Sequence, residues 1–499
     1  MSITGAGSIT AANVAAQTDM MNQLNTLTQE LSTGQAATTY SGLASQAGLT
    51  LSLNAQLAAI NGYNTAATDV GTTLSVAQSA LTQLGDAQSS VQAAVSDQSA
   101  FSLDSTGQTA TQESAAGYFD QILAALNTQV GNNYIFSGSA TDQPAVAPTD
   151  DILNGNGAQA GLTTVIQQRQ EADLGSGLGR LTIGATGTTV TVGQDGSPFG
   201  FQLASVNSSL TGATVTGPSG SPPSIGVTLG AANPNAGDNI QFSLTLPDGT
   251  TQDVTLTATT SSPPGANQFT IGATPSATAT NLQTALTTAV GNLAQTALPA
   301  ASAIEAANNF FADPPQRVEG PNYSTATSLV NGTSANTVFW YTGENGSTPA
   351  AQTATAQVGP SMTVAYGMRA TEPAITSLLA NVGALAATTF SSSDPNAQAS
   401  YQALSSRVQA NLAGQSGTQS ITDIESNLAN AQTTIKNAST LNTQTQTTLQ
   451  DMLQGIDGVN QNQVGEQLLT LQNNLSASMS VTARLAQLSL VNYLAPSAG

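Results

Sequence analysis

The sequence predicts a mainly α protein with a β-rich insertion, in which long N- and C-terminal helices pair as a coiled-coil bundle and the middle forms one or two α+β outer domains. Three observations predict it. Apolar residues recur at 3-4 spacing through the first 140 residues, and the pattern returns through the last hundred. Between about 145 and 360, clustered Pro and short alternating runs replace the long periods.

At the N-terminal end Met20, Leu24, Leu27 and Leu31 step by 4, 3 and 4 residues, and the pattern resumes at Val70, Leu74, Ala77, Leu81, Leu84, Val91 and Val95. So narrow a stripe is a coiled-coil seam. Pro is absent from about Ser45 to Ser99, which predicts one helix of some 55 residues, roughly 80 Å long and too long to bury itself in one compact domain. A second helix carries Tyr118, Phe119, Ile122, Leu123, Leu126 and Val130 and is expected to end near Gly131-Asn132-Asn133.

The C-terminal end mirrors this through Ile421, Ile424, Leu428, Ala431 and Ile435, then Leu449, Leu453 and Ile456, then Val464, Leu468, Leu471 and Leu475. Val481, Leu485 and Leu488 extend the stripe, and Leu490, Tyr493 and Leu494 continue an apolar segment that would be sticky on a monomer. A further helical stretch spans about 370 to 413, with a break at Ser391-Ser392-Ser393-Asp394-Pro395. Both ends therefore carry stripes that need partners. Pairing the ends with each other makes the middle an insertion.

In that middle, residues 239–258 alternate on both sides of Pro247-Asp248-Gly249, which predicts a β-hairpin. Gln268 to Gly272 reads as a strand and Ala277 to Ala294 as a helix with Leu282, Leu286, Val290 and Leu293 on one face. Thr182-Ile183 and Thr188 to Val192 add strand material.

Composition narrows the function. The 499 residues hold 7 Lys+Arg against 28 Asp+Glu, a net charge of −21, with no His and no Cys. That removes Ser-His-Asp and Cys-His nucleophiles, zinc fingers, HExxH proteases and disulfides. The first basic residue is Arg169, so phosphate backbones and anionic lipid are repelled, and no nucleic-acid or membrane partner is expected. Carboxylate pairs Asp150/Asp151, Glu171/Asp173 and Asp423/Glu425 read as solvated surface charges rather than acid-base machinery. Asp150-Asp151 and Asp195-Gly196 fall short of a calcium loop, and Gly5-Ala6-Gly7 follows no strand and is not a dinucleotide fingerprint. No enzyme activity, cofactor or metal is expected. Asn207, Asn331 and Asn345 open glycosylation-type triplets of a kind common by chance in a Ser/Thr-rich chain. The N-terminal residues lack the basic start and apolar stretch of a secretory signal peptide.

Specific residues then resemble a family. Ala11-Ala12-Asn13-Val14 through Leu24-Asn25-Thr26-Leu27 to Glu30-Leu31-Ser32-Thr33-Gly34 resembles the N-terminal segment of bacterial flagellin and its relative, hook-associated protein 3. Asn132-Asn133-Tyr134-Ile135-Phe136-Ser137-Gly138 resembles the turn by which that family leaves its helical domain. Thr363 to Ala370 with Glu372-Pro373-Ala374 resembles the segment by which it returns, and Ser489 to Leu494 is similar to family endings, closest to the hook-associated branch. One departure is that Leu81 to Val95 has no basic residue where family members recognised by an innate immune receptor carry an arginine.

The resemblance implies a secreted, extracellular structural subunit of the bacterial flagellum, exported unfolded and polymerising into a helical tube walled by its terminal helices. Its implied partners are further copies of itself, other axial proteins such as the hook-associated and cap proteins, an export chaperone and the flagellar export apparatus. The implied organisation is an N-terminal polymerisation helix over 1–45, a helical rod domain from 46–144 and 361–454, a variable surface region over 145–360 and a C-terminal polymerisation helix over 455–499. Residues 1–45 and 455–499 are expected to be unfolded in the monomer. Length favours a filament subunit, whereas Tyr134 to Gly138 and the Tyr493-Leu494 ending lean towards a hook–filament junction protein. A surface adhesin or fibre is the more distant alternative.

Overall fold

The computed structural model describes residues 4–39, 41–97, 101–414 and 417–493. Helix α1 (Thr4–Thr33) stops at Gly34, whose φ of 71° lets its N–H return to the Glu30 carbonyl at 2.8 Å. Helix α2 (Ala47–Ser96) runs unbroken for 50 residues, its glycines at 48, 62, 71 and 85 standing in open space. Helix α3 (Ala110–Leu126) begins with a capping box between Thr109 and Gln112. It ends before Val130, which stands instead in β1 (Gln129–Val130) against β2 (Asn133–Tyr134) across a turn at Gly131.

Helices α4 (Thr149–Asn154) and α5 (Leu162–Leu174) lead into strands β3 (Leu181–Thr186), β4 (Thr189–Gln194), β5 (Gln202–Ser208), β6 (Thr214–Ser219), β7 (Ser224–Thr228), β8 (Asn239–Thr245), β9 (Thr251–Thr259) and β10 (Gln268–Thr270). Helices α6 (Pro275–Gln295) and α7 (Ala297–Phe310) follow, then β11 (Gln316–Val318), β12 (Leu329–Asn331), β13 (Thr355–Gly359) and β14 (Met362–Ala365). Helices α8 (Pro373–Ala387), α9 (Ala397–Leu412), α10 (Ile421–Asp457) and α11 (Gln461–Tyr493) close the chain.

Two compact units result. The first comprises Met1–Asp69, Gln357–Thr363 and Thr434–Gly499, the second Val70–Ala356 and Val364–Thr433. In the second unit, four-stranded sheets of order β3-β4-β7-β6 and β10-β9-β8-β5 are antiparallel except for the parallel β9/β10 pair. Helix α6 adds Leu282, Leu286 and Val290 to a core shared with Val190, Val227, Phe242, Leu256 and Phe269. The expected hairpin forms as β8 and β9, with Gly249 at φ 78° and Asp248 Oδ1 accepting from the Thr250 N–H at 3.1 Å. Helices α7 and α8 are buried almost all round, the signature of central helices. Aromatic rings of Phe119, Phe310, Phe311, Trp340 and Tyr341 fill the space about them at centroid distances of 5.3 to 6.2 Å.

Candidate assembly interface

In the first unit α1 and α11 run antiparallel. The half-buried positions on α1 are Asn13, Gln17, Met20, Leu24, Leu27 and Glu30, and on α11 they are Gly465, Leu468, Leu471, Leu475, Ser478 and Thr482 beside buried Val464. Gln17 Nε2 donates to Thr482 Oγ1 at 2.9 Å, so the seam turns polar towards one end. At its other end the Ala36 N–H donates to the Asp457 carbonyl at 2.7 Å, and the Val459 N–H to the Gly34 carbonyl at 3.1 Å. Gly458 is required there, because a Cβ would strike the Gln454 carbonyl.

The early part of α2 packs against the late part of α10. Leu53, Ile60 and Leu449 are buried together, with Leu57, Leu453 and Ile456 packed against them. Among these apolar side chains Asn442 is 2% exposed, and its Nδ2 donates to Asn64 Oδ1 at 3.1 Å and to the Val358 carbonyl of β13 at 2.9 Å.

The structure sorts the seam residues into three groups. Met20, Leu24, Leu27, Leu453, Ile456, Leu468, Leu471 and Leu475 are half-buried and retain surface to offer a neighbour. Val70, Leu74, Leu81 and Leu84, at 4% exposure or less, and Leu449 at 6% lie inside the chain's own packing. These five face inward and present next to no surface for assembly, because the stripe they form is already covered within one subunit. Leu31 is exposed, with Glu30 in its place on the seam. The side chains of Leu485, Leu488, Leu490 and Tyr493, and Leu494 altogether, lie outside the described residues.

Spacing alone missed the outward face. Among the described residues eleven large apolar side chains are exposed, and ten belong to the first unit, including Val14, Met21, Leu51, Leu469, Met479 and Val481. Leu31 and Val481 were read from spacing as stripe positions but are exposed, and the others were legible as apolar but off the seam.

In the second unit the chain's departure and return segments are zipped together. The Gly138 N–H donates to the Met368 carbonyl at 3.0 Å and the Ala370 N–H to the Phe136 carbonyl at 2.9 Å, with Phe136 and Ser137 fully buried. Arg369 fastens the joint by donating from Nε and Nη2 to Glu344 Oε2 and from Nη1 to the Gly346 and Thr348 carbonyls at 2.8 and 2.7 Å. Gly138, at φ 66°, leaves the room that Glu344 occupies. The two motifs are thus halves of one joint.

Residues 7–141 match the family model of the bacterial flagellin N-terminal helical region. Over this region the chain is similar to bacterial flagellin, a family of structural proteins of the flagellum. A comparison with curated proteins found no match. The matched span takes in α1, α2, α3 and the Tyr134 to Gly138 turn, so it covers one half of the α1/α11 pair and one half of the zipped joint.

The few basic side chains are mostly committed to structure, whereas most carboxylates are not ion-paired. Arg169, Arg180, Arg369 and Arg407 pair with Asp173, Asp195, Glu344 and Asp248. Asp173 is therefore no solvated charge, contrary to the surface role that sequence suggested. It is fully buried, and burial raises its pKa against the opposing pull of Arg169, the Gly200 N–H and Ser302. Asp423 holds the Ser420 N–H at 2.8 Å at the start of α10, which lowers its pKa through Ser420's hydroxyl and N–H. Among the described residues no group of Asp or Glu is placed to hold a metal ion, and no helix is long and apolar enough to cross a membrane.

Proposed function

We propose that the chain is a flagellin, a filament subunit exported unfolded and self-assembling through its terminal helices to support motility outside the cell. The observation that carries this reading is the concentration of exposed apolar side chains in the first unit. A long-lived monomer gains nothing from solvated Leu469 and Met21. A subunit that buries them against neighbours gains the hydrophobic free energy on assembly.

In this reading residues 1–45 and 455–499 are the polymerisation helices, 46–144 and 361–454 the rod, and 145–360 the region displayed on the filament surface. Met20, Leu24, Leu27, Leu468, Leu471 and Leu475 hold α1 to α11, and the outward residues meet other copies. Hook-associated and cap proteins, an export chaperone and the export apparatus are its further partners.

The test is seeded polymerisation of purified protein, followed by electron microscopy. Long tubes are expected without any cap, and Leu469→Asp and Met21→Asp should keep the monomer's circular dichroism while blocking incorporation. Failure to elongate, combined with detached filaments in cells lacking the gene, would instead favour the junction role that the Tyr134 to Gly138 turn leaves open. An intact filament in such cells would refute both.

A further inference from the structure

The loop that locks Arg369 carries Asn345-Gly346, and we propose that Asn345 is a site of spontaneous deamidation, a covalent change that ages the joint between the departing and returning segments. The chemistry needs only water. The Gly346 backbone nitrogen attacks Cγ of Asn345, a C–N bond closes a five-membered succinimide, and the side-chain nitrogen leaves as ammonia with the displaced proton. Water then opens the ring at either carbonyl, leaving an aspartyl or an isoaspartyl linkage at 345.

Two conditions favour this step: a free, exposed backbone nitrogen after Asn, and no side chain on the following residue. The chain has five Asn-Gly pairs, at 61, 154, 156, 331 and 345, and the fold sorts them. Gly62 lies within α2, where its N–H is part of the helix ladder. The Gly155 N–H donates to the Asp151 carbonyl at 2.9 Å and the Gly332 N–H to the Pro315 carbonyl at 2.7 Å. Asn156 is held at both its N–H and its carbonyl by Gln159, and its side chain donates to Asp151 at 3.3 Å.

Asn345 differs from Asn61, Asn154 and Asn331 in the unbonded nitrogen that follows it, and from Asn156 in making no backbone hydrogen bond of its own among the described residues. Asn345 and Gly346 are exposed, the Gly346 N–H takes part in no hydrogen bond among the described residues, and the Asn345 amide has only a 3.5 Å contact with Asp313 Oδ1. Replacing the glycine would displace the side chains of the joint. A Cβ at 346 would land on Glu344 Oε1 and stand 3.4 Å from Arg369 Nη2. The glycine that lets the loop close over Arg369 is the residue that makes Asn345 labile.

The consequence falls on the joint. Conversion replaces an amide donor facing Asp313 by an anion, and the isoaspartyl product adds a methylene to the backbone just before the Gly346 and Thr348 carbonyls that hold Arg369. Peptide mapping of full-length protein stored in mildly alkaline buffer tests the proposal. Conversion at Asn345 should be at least about tenfold faster than at Asn331, where the Gly332 hydrogen bond must break first. Asn345→Gln should suppress the early mass gain, and the converted fraction should be cut faster by protease within 344–348. Comparable rates at all five pairs, or conversion elsewhere with Asn345 intact, would overturn the proposal. So would unchanged proteolysis of the converted fraction.

Discussion

Asn442 and Asn64 meet side chain to side chain at 3.1 Å inside an apolar seam, where Asn442 also holds the Val358 carbonyl at 2.9 Å. On α10 the row Ile421, Leu428, Ile435, Asn442, Leu449, Ile456 repeats every seven residues, so Asn442 occupies a core position of the heptad. A polar residue there fixes register at some cost in stability, because a slipped pairing would bury its amide unpaired. Here it also ties the β13–β14 hairpin to the seam.

Asn442→Ala is therefore expected to lower stability by about 1–3 kcal/mol, since it leaves the buried Val358 carbonyl without a donor. Asn64→Ala removes one bond and should cost less, about 0.5–1.5 kcal/mol. Urea unfolding followed by circular dichroism measures both. Asn442→Leu separates register from strength: amides of 357–363 should exchange faster even if the helical signal is retained. Equal costs for the two alanine variants would contradict the shared role.

Arg369 should tolerate no substitute. It is 7% exposed and places its donors on Glu344 and two loop carbonyls at once, a planar fork that an ammonium cannot reproduce. Arg369→Ala is expected to cost on the order of 3 kcal/mol by stranding the Glu344 carboxylate. Arg369→Lys should recover less than half of that. Limited proteolysis would show the loss first at 342–350.

How far these features could be read in advance follows from where their information lies. The β8–β9 turn was legible because Pro247, Asp248 and Gly249 each supply local turn chemistry, and α2 because a heptad persists for 50 residues. Helix α7 was not, since a helix buried on all sides shows no period. Helix α5 mixes Gln167, Gln168, Arg169 and Glu171 with Val165 and Ile166, again without a stripe. Among site residues, Met20, Leu24 and Leu27 were legible from spacing. The division between seam positions covered within the subunit, such as Leu74, and those left half-open, such as Leu471, depends on tertiary neighbours that no periodicity reports. The Glu344–Arg369 pair joins residues whose contact only the folded loop creates.

Stability in acid should depend on Asp195. Burial alone would raise its pKa, but the Ser197 hydroxyl and N–H, at 2.7 and 2.9 Å, and Arg180 at 3.0 Å lower it overall. A depressed carboxyl contributes stability that is fully present above the ordinary value of 3.8 and is lost as pH falls through the lower folded value. Asp173 acts in the opposite sense, because its raised pKa favours the native state as protons are added. Asp195→Asn should thus be less stable than wild type at neutral pH, with the gap closing below the ordinary carboxylate range. A urea midpoint difference that widens on acidification would be the wrong sign.

The terminal helices should order only on assembly. Over residues 11–33 of α1 and 461–484 of α11, Val464 is the one buried side chain. Two helices sharing a half-open seam cannot offset the conformational entropy of ordering some sixty residues, at about 1–2 kcal/mol of backbone each. Amides of α1 and α11 are expected to exchange rapidly in dilute monomer and to gain protection in the polymer, while α7 and α8 are protected in both. Protection of α1 and α11 in the monomer would contradict this.

Charge sets the conditions for that transition. Residues 1–168 hold 11 acidic side chains and no basic one, so copies brought side by side repel through like-signed stalks. The attraction that opposes this repulsion is apolar and survives salt, whereas the repulsion between exposed carboxylates is screened beyond about 8 Å at physiological ionic strength. Raising sodium chloride should lower the critical concentration for polymerisation, measured by sedimentation of tubes from soluble subunit. Adding charge at an exposed seam-flanking position, as in Gln29→Glu, should raise the critical concentration at low salt and have little effect at high salt. Tubes that dissolve as ionic strength rises would show that ion pairs between subunits, not apolar burial, hold the wall together.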